Sequence, residues 1–276
     1  MRLPESPRVF ITGAGSGLGR ALALELAGRR ARVLVGDVCD NGAAETVELV
    51  VAAGGTAEAI HCDVSVLADV ESAALRAFAL WGGVDLVVNN AGVAVGGLVG
   101  EVPIADWRWI VDTNLWGVIH GCHVFVPRLV AQGRGWILNV ASAAAFAAFP
   151  RMAPYNVTKA GVASLSETLY AEVGGRGIHV SVLCPTFFPT NLMRTFRSPD
   201  PRVGATAGAL FRRARWTAAD VARVAIRDLE RGRLTILAQR DSWLVWTLKR
   251  WFPGVYHWAL RSKARQRTED RLARER

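Results

Sequence analysis

Paired cysteines are missing from this sequence. Its four cysteines, Cys39, Cys62, Cys122 and Cys184, are separated by 23, 60 and 62 positions, which leaves no CxxC and no paired-ligand spacing. A disulfide scaffold is excluded, and scattered thiols in a chain this long predict reduced core cysteines and a cytoplasmic protein. Long hydrophobic runs are missing too. No apolar stretch approaches the roughly 18 residues of a membrane span, and the opening MRLPESPRVF has no apolar signal core. Internal repeats, low-complexity runs and an interdomain linker are likewise absent. What remains is a chain of 276 residues, 51 % of them hydrophobic, which excludes disorder and allows roughly three quarters of the unfolded surface to be buried.

Charge is unevenly spread. Residues 1–206 hold 16 basic and 17 acidic side chains, whereas residues 207–276 hold 17 basic and 7 acidic. The whole excess of the net charge of +9 therefore sits in the C-terminal part, together with five of the ten tryptophans (Trp216, Trp243, Trp246, Trp251 and Trp258). This pattern predicts one domain over residues 1–240 and a basic, tryptophan-rich extension over 241–276. The cations are interleaved with tryptophan and leucine and no recognition motif accompanies them, so nucleic acid is not expected as a partner.

Apolar β-branched runs alternate with helical patterns along the first 240 residues. The runs at 8–12, 31–37, 57–63, 84–90, 135–142, 178–185 and 233–238 predict seven strands. Helices are predicted at 17–29, 41–53, 66–81, 107–131, 153–174 and 217–231, the last opened by Thr217 with Asp220 three residues on and closed by Gly232. Strands that are apolar throughout suit a parallel sheet covered on both faces. The fold class that follows is α/β: a Rossmann-like, doubly wound parallel sheet with helices on both faces.

One stretch, TGAGSGLG at 12–19, joins the first strand to the first helix. Gly13, Gly17 and Gly19 have no side chains to keep a pyrophosphate from the backbone, and the free N–H groups of the helix start can hold the anion. Their spacing is GxxxGxG. Asp37, at the end of the second strand, is placed to accept hydrogen bonds from a ribose diol. A turn with no ligand would need neither. In YNVTK, Tyr155 and Lys159 lie four residues apart on one face of a predicted helix. An ammonium near a phenol stabilises the phenolate, which predicts a lowered tyrosine pKa and an acid or base usable near neutral pH. Ser142 ends the fifth predicted strand, where α/β sheets place their sites, and its hydroxyl can hold a carbonyl oxygen.

With TGAGSGLG are found CDV at 62–64, NNAG at 89–92, Asn114, Ser142, YxxxK at 155–159 and PTFFPT at 185–190. In these motifs and their order the chain resembles the short-chain dehydrogenase/reductase family over about residues 8–238. The resemblance implies an NAD(P)-dependent oxidoreductase that interconverts a secondary alcohol and a ketone by hydride transfer. It implies Tyr155 as the proton donor or acceptor, Ser142 as the group orienting the substrate oxygen, Lys159 on the nicotinamide ribose, and Asn114 holding a water of the proton relay. The cofactor set it implies is Gly13, Ser16, Gly17, Leu18, Gly19, Asp37, Val38, Asp63, Val64, Asn90, Ala91, Gly92, Tyr155, Lys159, Pro185, Phe188 and Thr190. Asp63 and Val64 would meet the adenine, Asn90 the adjacent ribose region and Thr190 the carboxamide. Members of the family are commonly dimers or tetramers, so a homodimer or homotetramer is expected.

Two departures stand out. The family's PG after the sixth strand is PT here (Pro185, Thr186), followed by Phe187 and Phe188, which either line an apolar pocket or pack against the sheet. The chain also runs on for about 38 residues beyond its last strand. Charge favours NAD as cofactor, because Asp37 repels a 2′-phosphate and Ser16 and Val38 stand where a neutralising cation would be needed; NADP stays open through Arg20 or an arginine elsewhere. His120, Cys122 and His123 have soft ligand atoms at helical spacing, but their helix is apolar all round, which favours packing, and no metal is expected. The extension has three open fates: packing on a second subunit, roofing the substrate pocket, or weak peripheral contact with a membrane. The substrate loop is placed at about 191–215. The rival to an enzyme is a dinucleotide-sensing or interaction protein on the same fold, which would be expected to lack part of the chemistry.

Overall fold

A computed structural model describes residues 2–262. Four strand–helix units come first: β1 (Arg8–Thr12) and α1 (Gly17–Ala27), β2 (Arg32–Asp37) and α2 (Asp40–Ala52), β3 (Thr56–His61) and α3 (Leu67–Trp81), then β4 (Leu86–Asn89) with α4 (Ile104–Val111). A π-helical stretch, Asp112–Trp116, leads into α5 (Gly117–Gln132). There follow β5 (Gly135–Val140), α6 (Ala144–Ala147), α7 (Ala153–Glu172), β6 (Ile178–Leu183), α8 (Pro201–Arg213), α9 (Ala218–Glu230), β7 (Thr235–Ile236) and α10 (Arg240–Trp251). All seven strands pair in parallel, in the order β3-β2-β1-β4-β5-β6-β7. The strand order reverses between β1 and β4, which is where such sheets bind ligands beyond the strands' carboxyl ends.

Period-two alternation sends each strand's side chains to two separate cores. Val9, Ile11, Val33, Val35, Leu86 and Val88 pack with Leu22 and Leu26 of α1 and Val221 and Ile226 of α9. Phe10, Leu34, Val87 and Ile137 point the other way, onto Phe125 of α5 and Val162 and Leu169 of α7. Phe10 and Phe125 stack at 5.2 Å. This two-sided burial is why the strands read as continuously apolar. β3 departs from that reading: as an edge strand paired only with β2, it has no fully buried residue, each being exposed or half-buried. The predicted start of the 217–231 helix is present as a capping box, Thr217 Oγ1 accepting the Asp220 N–H at 3.2 Å and Asp220 Oδ2 accepting the Thr217 N–H at 3.0 Å.

Two predicted segments differ. The single helix expected at 107–131 is broken by the π-helical stretch, a form that recurs at functional sites, and Asn114 lies inside that stretch. The loop expected at 191–215 instead holds a 3₁₀ turn at Asn191–Arg194 and the helix α8. Asp200 caps α8 by accepting the Arg202 N–H at 3.0 Å, and Pro201 occupies its first turn, the arrangement in which a fixed φ and a missing donor do no harm.

Candidate active site

The β1–α1 loop is shaped by backbone requirements. Gly13 has φ +62°, and a Cβ there would lie 2.7 Å from the Cα of Ala91. Gly17 has φ +54° at the start of α1. Ser16 makes no capping bond and the first turn of α1 holds no acidic side chain, so the helix's leading N–H groups are free for an anion. Sequence reasoning passed over Gly15, whose N–H donates to Asp37 Oδ2 at 2.7 Å; Cys39 N–H donates to Asp37 Oδ1 at 2.9 Å. Two backbone donors thus aim the Asp37 carboxylate. Asn90 clips the ends of β1 and β4 together, its Nδ2 donating to the carbonyls of Thr12 (2.9 Å) and Gly13 (3.0 Å). Asp63 accepts from the Ser65 hydroxyl at 2.7 Å, and Val64 is buried.

Arg20 is held in place. Its guanidinium donates to the Gly15 carbonyl at 2.5 Å, to Glu45 at 2.7 Å and to Thr46 Oγ1 at 2.9 Å. Glu45 therefore neutralises the cation nearest the glycine loop.

At the carboxyl end of β5 the catalytic candidates come together. Ser142 Oγ accepts the Ala144 N–H at 3.1 Å and contacts the Pro185 carbonyl at 3.4 Å. Lys159, buried at 3 % exposure, donates to the Val140 carbonyl at 2.9 Å, with Nζ 5.7 Å from the centre of the Tyr155 ring. Burial dominates the ionisation of this pair. It pushes the Tyr155 phenol up to about 12, opposed by a hydrogen bond with Ser142, and pushes Lys159 down to about 8, opposed by Cys184. The lowered tyrosine expected from the sequence is thus corrected, because the low-dielectric setting disfavours phenolate and ammonium alike. Asn114 is fully buried, accepting the Val93 N–H at 2.7 Å and donating to the Val93 carbonyl at 2.9 Å. It thereby fixes the strand-end segment bearing Gly92, whose Cβ would stand 3.2 Å from Asn114 Oδ1 and 3.5 Å from Lys159 Nζ.

One cavity of about 1710 Å³ runs from Gly13, Ser16, Gly17, Leu18, Asp37 and Val38 past Asp63, Val64, Asn90, Ala91 and Gly92 to Ser142, Tyr155, Lys159, Pro185, Phe188 and Thr190. Of the catalytic and cofactor residues named from the sequence, Gly19 and Asn114 are the two that do not line it. Its far end is rich in apolar side chains, Trp109, Phe149, Met152, Phe187, Leu210 and Phe211, with Arg151, Arg194 and Arg202 also in the lining. The two phenylalanines after Thr186 divide the alternatives: Phe188 is buried in the sheet core, while Phe187 meets Phe211 of α8 edge to face at 5.4 Å. The extension is seated on this region. Gln239 accepts the Thr186 N–H at 2.8 Å and donates to the Phe187 carbonyl at 3.2 Å. Ser242 donates to the Cys184 carbonyl at 3.0 Å and Tyr256 to the Ala147 carbonyl at 2.5 Å. No motif marks these three residues. His120 Nδ1–H donates to the Val64 carbonyl (2.9 Å), and Cys122 is packed against Asn139, so HGCH does not converge on one point. Residues 263–276, the last part of the predicted extension, lie outside the described residues.

The family description "short chain dehydrogenase" matches residues 7–201. The chain belongs to the short-chain dehydrogenase family. It is 37 % identical over 194 residues to the probable oxidoreductase EphD of Mycobacterium tuberculosis, which covers 69 % of this chain and one third (33 %) of that relative's length. It is 36 % identical over 209 residues to the 1-deoxy-11-beta-hydroxypentalenate dehydrogenase of Streptomyces avermitilis, covering 75 % and 77 % of the two chains. A crystal structure of a short-chain dehydrogenase/reductase from Burkholderia phymatum in complex with NAD superposes with a TM-score of 0.84 at 33 % identity, over 88 % of this chain and 92 % of that one. Members of this family bind NAD(P) and typically act on small-molecule alcohols or ketones. No helix among the described residues is long and apolar enough to cross a membrane.

Proposed function

We propose that this family member is an NAD-dependent oxidoreductase that interconverts a secondary alcohol and a ketone on an apolar substrate. The observation that carries the reading is the single cavity that begins at the glycine loop and Asp37 and ends at Ser142, Tyr155 and Lys159 beside an apolar wall. The residues fit a dinucleotide: a glycine cradle, free N–H groups at the start of α1, and a carboxylate aimed by two backbone donors. Held by the glycine loop, Asp37 and Lys159, NAD would supply a hydride acceptor for oxidation of the alcohol and, in its reduced form, a hydride donor for reduction of the ketone. Tyr155 takes the hydroxyl proton in oxidation and donates it in reduction; a phenol kept neutral by burial is suited to the donor role. Ser142 orients the substrate oxygen, Lys159 holds the nicotinamide ribose, and Asn114 positions the segment carrying Gly92. NAD over NADP is supported by Asp37 and by Arg20, whose charge is already met by Glu45. NAD is also the cofactor in the Burkholderia structure. An NAD- and NADP-linked turnover screen of secondary alcohols and ketones, alicyclic and aryl ones included, tests the reading. Turnover of none of them despite tight NAD binding would overturn it in favour of a dinucleotide sensor. We further propose a homodimer or homotetramer, which sedimentation of the purified protein checks.

A further inference from the structure

The extension buries one side and leaves the other bare. Ser242 and Tyr256 are buried and bonded to the carbonyls of Cys184 and Ala147. On α10, Leu244, Leu248 and Trp251 recur at spacings of four and three, which puts them on one helix face, and all three are exposed, as is Trp243. Phe252, Val255 and Trp258 continue the exposed set into the next helical stretch, 253–262; Trp251 and Trp258 are each 70 % exposed. So much large apolar surface in so short a segment calls for a covering partner. Arg240, Lys249, Arg250 and Arg261 flank it, and the sequence adds Lys263, Arg265 and Arg267, against Asp241 as the one acidic residue between 240 and 267.

We infer that this segment docks the protein on the surface of anionic lipid bilayers. A second copy of the chain is a poor occupant: a two-fold contact would set the patch against itself, cation against cation, with a single aspartate to offset them. An anionic bilayer matches both halves of the pattern, with tryptophan at the headgroup level and arginine and lysine on lipid phosphate. At 12 residues α10 is too short to span, so it lies along the interface. Leu260 of the following stretch lines the cavity, so docking places the cavity mouth beside the lipid, where an apolar alcohol or ketone partitions; this last step rests on the proposed function.

The test is sedimentation of the full chain with neutral phosphatidylcholine vesicles and with vesicles containing phosphatidylglycerol, alongside tryptophan emission. Binding to the anionic vesicles, with a blue shift and a loss of about tenfold or more at high salt, is expected. The double change Trp251→Glu and Trp258→Glu lies outside the cavity. It is expected to leave turnover of a water-soluble alcohol unchanged and lower vesicle affinity at least about tenfold. Should that variant misfold, Lys249→Gln with Arg250→Gln is expected to weaken binding to anionic vesicles alone. Failure of the wild-type chain to bind at low salt, or equal binding to both vesicle types, overturns the inference. So does a halved mass in the double variant with vesicle affinity unchanged, which assigns the patch to a second copy. Vesicle binding without turnover leaves docking standing and sinks the proposed reaction instead.

Discussion

At the dinucleotide end of the cavity, Gly13, Gly15, Asp37 and Asn90 are tied to one another through backbone atoms. At the substrate end, Phe187 meets Phe211 ring to ring, while Gln239, just before the extension, and the extension's Tyr256 each reach a backbone carbonyl of a distant segment, those of Phe187 and Ala147. The first kind of construction tolerates almost no change of residue type, because a Cβ or a missing N–H destroys it. The second can be built by many combinations. A pocket with one end of each kind can keep its chemistry while its substrate preference varies.

The sharpest way to break the comparison is to remove an atom where the two ends meet. Tyr155→Phe deletes the phenolic hydroxyl and leaves the glycine loop untouched. Turnover is expected to fall about 10²–10⁴-fold, with NAD affinity, measured by fluorescence titration, essentially as in wild type. Activity near the wild-type level would remove Tyr155 from the mechanism.

Lys159 tests whether the meeting point is kept at the expense of stability. Folding lowers its pKa from 10.5 to about 8 by burial, so the charged form is disfavoured in the folded chain. At about 1.4 kcal/mol per pH unit that is a burden of about 3 kcal/mol. The burden is present in full below pH 8, shrinks between pH 8 and 10.5, and is gone above. Lys159→Met is therefore expected to abolish turnover yet raise stability at pH 7 by about 1–3 kcal/mol, the orphaned Val140 carbonyl taking part of the gain. The difference from wild type should narrow as pH rises from 8 to 10.5. Thermal melts of both proteins across that range check the sign; a variant less stable at pH 7 would show that Lys159 supports the fold.

Cofactor choice gives the next effect in size. Asp37→Asn removes the charge and keeps one acceptor oxygen, so one of the two N–H donors, Gly15 or Cys39, loses its partner; the change is expected to shift the ratio of kcat/KM for NADP over NAD upward by about tenfold. A wild-type preference for NADP would refute the electrostatic argument before the variant is made.

Legibility in the sequence follows the same division. A loop that needs positive φ at Gly13 and Gly17 advertises itself as glycine, and a Tyr155–Lys159 pair that must share a helix face advertises itself by spacing. The two-sided sheet showed in its apolar strands. Asn114 is legible as a residue but not as part of a π-helical stretch, since nothing in DTNLW differs from an ordinary helix segment; within that stretch its side chain pairs with the backbone of Val93. The α8 helix was hidden because GATAGALFRR holds two glycines and only two large apolar side chains, Leu210 and Phe211, and its one clear signal, Asp200 before Pro201, lies in a stretch that otherwise reads as turn. The seating of the extension was beyond reach: Gln239, Ser242 and Tyr256 act as single side chains on distant carbonyls and amides.

The smallest expected effect comes from that seating. Gln239 is 4 % exposed and bonds both the Thr186 N–H and the Phe187 carbonyl, so a single amide sets the path of the loop that presents Phe187 to Phe211. Gln239→Leu keeps the volume but leaves one part-buried donor, the Thr186 N–H, and one part-buried acceptor, the Phe187 carbonyl, without partners. Each such group costs about 1–3 kcal/mol at full burial and less where water can reach it. A loss of about 1–2 kcal/mol in thermal stability is expected, with KM for the apolar substrate raised less than tenfold and kcat and NAD affinity little changed, because Ser142, Tyr155 and Lys159 are held by other bonds. Gln239→Glu separates the two contacts: it still accepts from Thr186 but faces the Phe187 carbonyl with a second acceptor, so its KM should rise as much as in the leucine variant while the Thr186 side stays in place. If both variants melt lower with KM unmoved, the clamp supports only the fold, and the substrate end must be set by α8 alone.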